Sequence, residues 1–196
     1  MARWEPDAED RLRRAATELF VERGYDAVTV LEIALRAGLT RRSFFRYFPD
    51  KREVLFAGSE QLVEEVERRL DAVAKGDSLQ NALVGVLTEA AAILLSDRDR
   101  DSQRQRRAII AASPELQERD RTKIAQIAAA ITRWMARRGV AVADAELLGT
   151  VCAEAFRSAY NRALSDDGPL DFGEHLSEAV RAIESFLAPV ATDDVR

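Results

Sequence analysis

The chain has 196 residues, of which 47% are apolar and 32% are charged, a balance typical of one or two folded domains with a hydrophobic core. It carries 29 Lys and Arg against 34 Asp and Glu, and the net charge of -5 argues against indiscriminate binding to nucleic acid or anionic membrane. A single cysteine and a single histidine exclude an internal disulfide, Cys-pair metal motifs and nearly all catalytic dyads and triads. We therefore expect no metal, no cofactor and no enzyme activity.

The first residues, Met1–Ala8, lack the uninterrupted apolar run of a secretory signal peptide. The longest uncharged apolar run, Ala90–Leu95, falls far short of the roughly 20 residues that a membrane-spanning helix needs. We expect a soluble, cytoplasmic protein that does not contact a membrane, and the lone Cys152 fits that reducing compartment.

The spacing of apolar residues predicts helices throughout the chain, since no stretch alternates apolar and polar residues over enough positions to form a strand. The 3.6-residue period of a helix recurs in five segments, which begin at Leu12, Val30, Leu79, Ile124 and Leu176. Glycines and capping residues, such as Thr29 with Glu32, divide the pattern into about nine helices. The predicted fold is all-α, with a helix-turn-helix domain over residues 1–50 and a larger helical domain over residues 51–196.

Residues 10–55 contain three short helical patterns, with a tight connection between the second and the third. Ala34 is a small residue where two helices would cross, Gly38 can adopt a positive φ, and Leu39 can anchor the turn. This arrangement predicts a helix-turn-helix. Its third helix, which begins after Thr40, would be the one that reads base sequence.

The third helix has an apolar face and a basic face. At 100° per residue, Phe44 and Phe48 lie within about 40° of one another and can face a core, while Arg42 and Arg46 lie nearly opposite. Six basic residues and one acid occur between residues 36 and 52, which gives this segment a net charge of +5 in a chain of -5. The basic charge is therefore concentrated where a recognition helix would be.

Two runs resemble the DNA-binding domain of TetR-type transcriptional regulators. They are AATELFVERGYDAVTV at residues 15–30 and GLTRRSFFRYFPDKREVL at residues 38–55. The turn glycine, the aromatic cluster, the proline and the lysine occur together and in order, which makes the resemblance specific. It covers about the first quarter of the chain; the remainder is similar only in pattern.

The resemblance implies roles for eight residues of this segment. It implies that Arg41, Arg42 and Phe45 contact base edges in the major groove, where arginine matches guanine and phenylalanine can contact a thymine methyl. Many family members have tyrosine at the position of Phe45, and a polar reading residue at the position of Leu31. The residues implied to contact phosphates are Thr29, Thr40, Ser43, Tyr47 and Lys51.

Residues 57–196 carry 18 basic and 24 acidic residues, so this larger part of the chain is acidic and is expected to dimerise and to bind an effector. The segment 144–164 has apolar residues on two sides, and Gly149 and Ala153 would permit close approach of another helix. Together with the stripe in residues 172–187, it would supply two helices per subunit to a four-helix dimer interface, as the resemblance also implies.

An apolar or amphiphilic small molecule is the expected effector. The candidate pocket residues are Trp134, Met135, Phe156, Arg157, Tyr160 and Asn161. At helical spacing, however, apolar residues are more often plain core than pocket lining, and Arg157 and Asn161 can equally be a solvated pair.

The main hypothesis is a homodimeric regulator of transcription, a repressor, that binds double-stranded DNA at a palindromic operator and responds to a ligand. The second hypothesis is a helical enzyme that acts on a small apolar substrate through buried carboxylates, with Glu89 and Glu154 as the candidates. The third is a protein-interaction module whose basic helix binds an acidic partner. The effector, the operator sequence and the choice between repression and activation stay open.

Overall fold

The computed structural model describes residues 7–96, 100–165 and 172–187, and every regular element in these ranges is an α-helix. The predicted all-α fold is confirmed. The helices are α1 (Ala8–Arg23), α2 (Val30–Arg36), α3 (Arg41–Tyr47), α4 (Glu53–Phe56), α5 (Ser59–Ala72), α6 (Leu79–Ser96), α7 (Arg100–Ala112), α8 (Pro114–Arg137), α9 (Val142–Ser165) and α10 (Phe172–Leu187). Nine of these described helices have seven or more residues, and α4 is a single turn. Within the same ranges, no helix has the length and apolarity to cross a membrane.

The described residues form two compact units. The N-terminal unit is drawn from residues 1–62 and 97–123, and the C-terminal unit is drawn from residues 63–96 and 124–196. The N-terminal unit therefore holds α1 to α4, the start of α5, α7 and the start of α8. The predicted domain boundary at residue 50 stays a prediction.

The core of the N-terminal unit is built around the helix-turn-helix. Leu12 of α1, Ile33 of α2 and Phe44 of α3 are fully buried in one cluster, to which α7 adds Ile110 and α8 adds Leu116. Burial of each such side chain contributes about 1.5–3 kcal/mol. The three short helices are thus held by a shared core, because helices of seven residues are too short to be stable alone.

The C-terminal unit is a helical bundle in which α8 and α9 approach closely at Gly149. The apolar stripe of α9 that contains Gly149 and Phe156 is buried. A Cβ on Gly149 would clash with the Thr132 side chain and lie 2.8 Å from the Ala128 carbonyl oxygen. Thr132 also donates a hydrogen bond to the Ala145 carbonyl at 3.1 Å. The close approach predicted at Gly149 therefore occurs within the chain, between α8 and α9.

Candidate nucleic-acid interface and ligand cavity

The connection between α2 and α3 has the predicted turn geometry. Gly38 has a φ of +67°, and the Leu39 amide donates to the Ala34 carbonyl at 2.8 Å. Arg11 of α1 donates to the Ala37 carbonyl from two nitrogens, at 3.0 and 2.6 Å. These bonds satisfy carbonyls at the end of α2, which the helix itself leaves without partners. No sequence pattern predicts this role of Arg11, since the bond joins residues 26 positions apart.

The recognition helix α3 is fixed at its start and on its apolar face. Thr40 is the N-cap, and its hydroxyl accepts a hydrogen bond from the Ser43 amide at 3.0 Å. Phe44 and Phe48 are buried, and their ring centroids lie 5.5 Å apart. With these two rings in the core, the opposite face of α3 must point outward.

The outward face of α3 carries Arg41, Arg42, Phe45 and Arg46, which we call the reading surface. All four side chains are exposed, Phe45 to 45%. The Arg41 guanidinium lies 5.5 Å from the centroid of the Phe45 ring. Within the described ranges, no ion pair holds any of the three arginines. The reading surface thus presents three cations and one large apolar group to solvent.

The other basic residues of segment 36–52 are engaged elsewhere. Arg36 pairs with Glu22 of α1 at 3.0 Å and with Glu18 at 3.3 Å. Arg52 pairs with Asp50 at 2.9 Å. The positive charge of this segment is therefore concentrated on α3 more sharply than the residue count indicates.

Lys51 is anchored to the loop that leads into α2. Its ammonium donates to the carbonyls of Tyr25 at 2.8 Å and Val28 at 3.0 Å, and it lies 4.0 Å from the centroid of the Tyr25 ring. An ammonium has three donors, so one N–H is left after these two bonds. Lys51 thus fixes the backbone that places Thr29.

The N-terminus of α2 has the predicted capping box. The Thr29 hydroxyl accepts from the Glu32 amide at 3.3 Å, and the Thr29 amide donates to the Glu32 carboxylate at 2.8 Å. Arg23 also donates to this carboxylate, at 2.7 Å. The bond from Arg23, and then those from Thr29, lower the pKa of Glu32 to about 2. The carboxylate of Glu32 therefore already accepts hydrogen bonds from Thr29 and Arg23 at this helix end.

The C-terminal unit contains an apolar cavity of about 300 Å³ between α6, α8, α9 and α10. Its walls include Leu83, Leu87, Met135, Cys152, Leu176 and Val180. Gln80 and Glu184 also line it, and the Gln80 amide nitrogen donates to the Glu184 carboxylate at 3.0 Å. The size is within the range of small-molecule sites, which begins at about 300 Å³.

Family models match both parts of the chain. The model of the bacterial regulatory proteins of the TetR family matches residues 12–57, and the model of the MftR C-terminal domain matches residues 77–188. The chain belongs to the TetR family. It is a DNA-binding regulator of transcription, which confirms the main hypothesis at that level and excludes the enzyme hypothesis.

The TetR-family relatives include proteins of known sequence and of solved structure. MftR of Mycobacterium tuberculosis, named as a mycofactocin biosynthesis transcriptional regulator, is 31% identical over 123 residues, which are 63% of this chain and 61% of that protein. The chain thus spans less than two thirds of the length of MftR. FadR of Thermus thermophilus, a repressor solved with lauroyl-CoA, is 25% identical, with a TM-score of 0.56 and coverage of 94% of this chain and 97% of FadR.

A second solved relative shows the fold alone. The SmeT–triclosan complex is 20% identical and covers 89% of this chain and 90% of that chain, with a TM-score of 0.61. SmeT is the repressor of the multidrug efflux pump SmeDEF of Stenotrophomonas maltophilia.

For this TetR-family chain, the structure brings six of the eight predicted DNA-contacting residues together on α3 and its N-cap. Arg41, Arg42 and Phe45 are exposed there, with Thr40, Ser43 and Tyr47 beside them. The other two, Thr29 and Lys51, lie near α2. Both have hydrogen-bond partners within the chain, as do the hydroxyls of Thr40, Ser43 and Tyr47. The contacts of all eight with DNA stay predictions.

Among the six predicted pocket residues, Met135 lines the apolar cavity. Trp134 and Phe156 are 2% exposed, and the Phe156 ring packs against Phe172 at 5.2 Å between centroids. Arg157 is paired with Glu154 at 2.5 Å. Tyr160 and Asn161 are not part of the cavity wall either. The periodicity identified the α6 and α10 residues that form most of the wall, but it could not distinguish a wall from a filled core.

The carboxylates proposed for the enzyme hypothesis are not buried. Glu89 forms an ion pair with Arg69 and its side chain is 62% exposed, and the side chain of Glu154 is 49% exposed. The expectation of buried carboxylates was wrong, because these residues occupy outward positions in otherwise apolar helices.

Proposed function

We propose that this TetR-family protein is a ligand-responsive repressor that binds a palindromic operator as a homodimer. The reading surface carries the proposal: three arginines without ion pairs in the described structure lie on one capped, outward-facing helix. A regulator must work in the compartment that holds the DNA, so the proposal places the protein in the cytoplasm.

Base sequence would be read by the reading surface. Arg41 and Arg42 can each donate two hydrogen bonds to guanine O6 and N7, and Phe45 can contact a thymine methyl. Each good arginine–guanine pair discriminates against a wrong base by about 1–3 kcal/mol. Because Phe45 has no hydroxyl, its contribution would be limited to apolar contact.

Phosphates would be held by residues that flank the reading surface. Thr40, Ser43 and Tyr47 lie on α3 or at its cap, where hydroxyls and helix-terminal amides can bond to phosphate oxygens. Lys51 would add its remaining N–H, and Thr29 would contact phosphate once its hydroxyl turns from the Glu32 carboxylate to a phosphate oxygen. These contacts would position the protein without reading sequence.

A homodimer would form through α9 and α10. Leu147 of α9 is 65% exposed, and Val142 at the start of the helix is 63% exposed. Large apolar side chains exposed close together indicate an interaction surface. Two copies would place their recognition helices in successive major grooves, about 34–36 Å apart.

The effector would be a small apolar or amphiphilic molecule bound in the apolar cavity. The support is the almost wholly apolar wall, together with the solved relatives that contain triclosan or lauroyl-CoA. An effector that binds one conformation of the dimer more tightly than the DNA-bound one would lower operator affinity.

Selection of random double-stranded DNA with the purified full chain tests this function. We expect enrichment of a palindrome whose half-site centres lie about 10–10.5 base pairs apart, or a multiple of that spacing. The double variant Arg41→Ala, Arg42→Ala should lose the enrichment. Enrichment of an unrelated, non-repeated sequence, or of none, would refute the palindromic operator.

A further inference from the structure

The apolar cavity has polar side chains at only one place on its wall. Gln80 of α6 and Glu184 of α10 are both exposed and bond to each other, whereas the remaining wall is Leu, Val, Ile, Ala, Met and Cys. Among the residues that the structure describes, the wall contains no lysine, arginine or histidine. We call the Gln80–Glu184 pair the mouth of the cavity, because these two lining residues are both polar and exposed, whereas Leu148, the other exposed residue of the wall, is apolar.

This distribution of charge restricts what the cavity can hold. A charged or polar group inside the apolar wall would lose its water without gaining a hydrogen bond, at a cost of several kcal/mol for a charge. A ligand with its apolar body inside the cavity therefore finds hydrogen-bond partners for a polar head at the mouth. There it meets the Glu184 carboxylate, which attracts a cation and repels an anion.

The volume restricts the size of the apolar body. A cavity of about 150 Å³ accepts benzene. The cavity of about 300 Å³ found here therefore suits a body of about two fused rings, or a hydrocarbon of similar bulk.

We propose that the effector is a compact amphiphile with a cationic or hydrogen-bond-donating head, and that Glu184 selects against anionic heads. This inference rests on the proposed function, in which the apolar cavity is the effector site. A carboxylate, or an acyl thioester with a phosphorylated carrier, would need a cation in its site, and the described wall supplies none. The proposal therefore distinguishes this chain from receptors for such anionic ligands.

Cys152 provides a direct readout, because it lies in the cavity wall and is the single cysteine of the chain. Burial raises the pKa of its thiol, so alkylation by iodoacetamide is slow and is followed for long times at about pH 8, where the amine probe is still protonated. The experiment measures how three probes with the same two-ring body slow this alkylation: 1-naphthalenemethylamine, 1-naphthalenemethanol and 1-naphthoate.

We expect the amine to protect Cys152 at the lowest concentration, the alcohol to be intermediate and the carboxylate to be weakest. Exposed charge pairs contribute modestly, so the amine and the carboxylate should differ by about tenfold. In Glu184→Gln the two should become nearly equal. Glu146→Gln, which removes an exposed carboxylate of α9 outside the cavity wall, should keep the wild-type order.

Each other outcome has a defined meaning. If no probe protects Cys152, the cavity is not a ligand site, and the proposed effector site fails together with this inference. If all three protect equally, or the carboxylate protects best, the effector site stands and the selection for cations is wrong. If the preference for the amine survives in Glu184→Gln, the role of Glu184 is wrong.

Discussion

At the scale of single residues, partners distant in the chain decide what a side chain does. The sequence identified Lys51 by its place in a family motif, but its two bonds to the carbonyls of Tyr25 and Val28 depend on folded geometry. Arg11 had no sequence signal at all, although it holds the end of α2. The reading surface, by contrast, could be predicted, because α3 alternates core and outward positions with the period of a helix.

Replacement of Lys51 by methionine tests its two roles together. Loss of the two carbonyl bonds should lower the free energy of unfolding by about 1–3 kcal/mol. Loss of one phosphate contact per subunit should also make the slope of log affinity against log salt less negative, by about 0.9 for each contact. Urea unfolding and operator binding at several salt concentrations measure the two effects. A lower stability with an unchanged slope would show that Lys51 only positions the backbone.

Lys123 is a buried lysine with several arginines close to it. It is 8% exposed, and the charged groups that act on it are Arg106 and Arg107 of α7 and Arg119 and Asp120 of α8. Burial, followed by the charge of Arg106, lowers the pKa of Lys123 to about 7. The stability of the folded state therefore falls as the pH drops below the unfolded pKa of Lys123, because the unfolded chain binds the proton first. This loss of stability is complete below about pH 7.

Lys123→Met should consequently stabilise the protein most at pH 7 and below. As the pH rises from about 7 towards 10.5, the wild type should gain stability relative to the variant by about 1.4 kcal/mol for each pH unit. Urea unfolding of both proteins between pH 6 and 10 measures the difference. Lys75→Met, at an exposed position of the C-terminal unit, should show no such trend. A difference that does not change with pH would contradict the lowered pKa of Lys123.

At the scale of elements, the periodicity of apolar residues predicted where helices lie along the chain but not which helices pack against one another. The two apolar stripes of α9 were evident from the sequence. The stripe with Gly149 and Phe156 is buried in the chain, while Leu148 and Cys152 of the other stripe lie on the wall of the apolar cavity. A stripe shows only that a helix face is covered, and core, cavity and subunit interface leave the same pattern.

The contact between α8 and α9 can be tested with two glycines. Gly149→Ala should lower the free energy of unfolding by about 1–3 kcal/mol, because the added methyl overlaps Thr132. Gly85 of α6 has nothing within 4 Å of an added Cβ, so Gly85→Ala should instead raise stability by about 0.5–1 kcal/mol. Equal effects of the two substitutions on urea unfolding would contradict the close approach of α9 to α8.

At the scale of the whole molecule, the position of charge is more informative than its sum. The chain carries -5, yet segment 36–52 carries +5, and within that segment Arg36 and Arg52 are paired with acids. Affinity for DNA should therefore depend on few phosphate contacts per subunit and on the reading surface. The sequence was sufficient for the fold class and for the helix-turn-helix, whereas the apolar cavity depends on four helices that meet only in the folded C-terminal unit.

The central claim is tested most directly by fluorescence anisotropy of the selected operator with wild type, Arg42→Ala and Arg121→Ala. Arg121 is the control, since its side chain is exposed on α8 and pairs with Glu118 rather than belonging to the reading surface. We expect Arg42→Ala to weaken operator binding at least about tenfold and to weaken binding of random DNA much less, while Arg121→Ala binds like wild type. Undiminished binding by Arg42→Ala, or equal losses on operator and random DNA, would contradict sequence reading by α3.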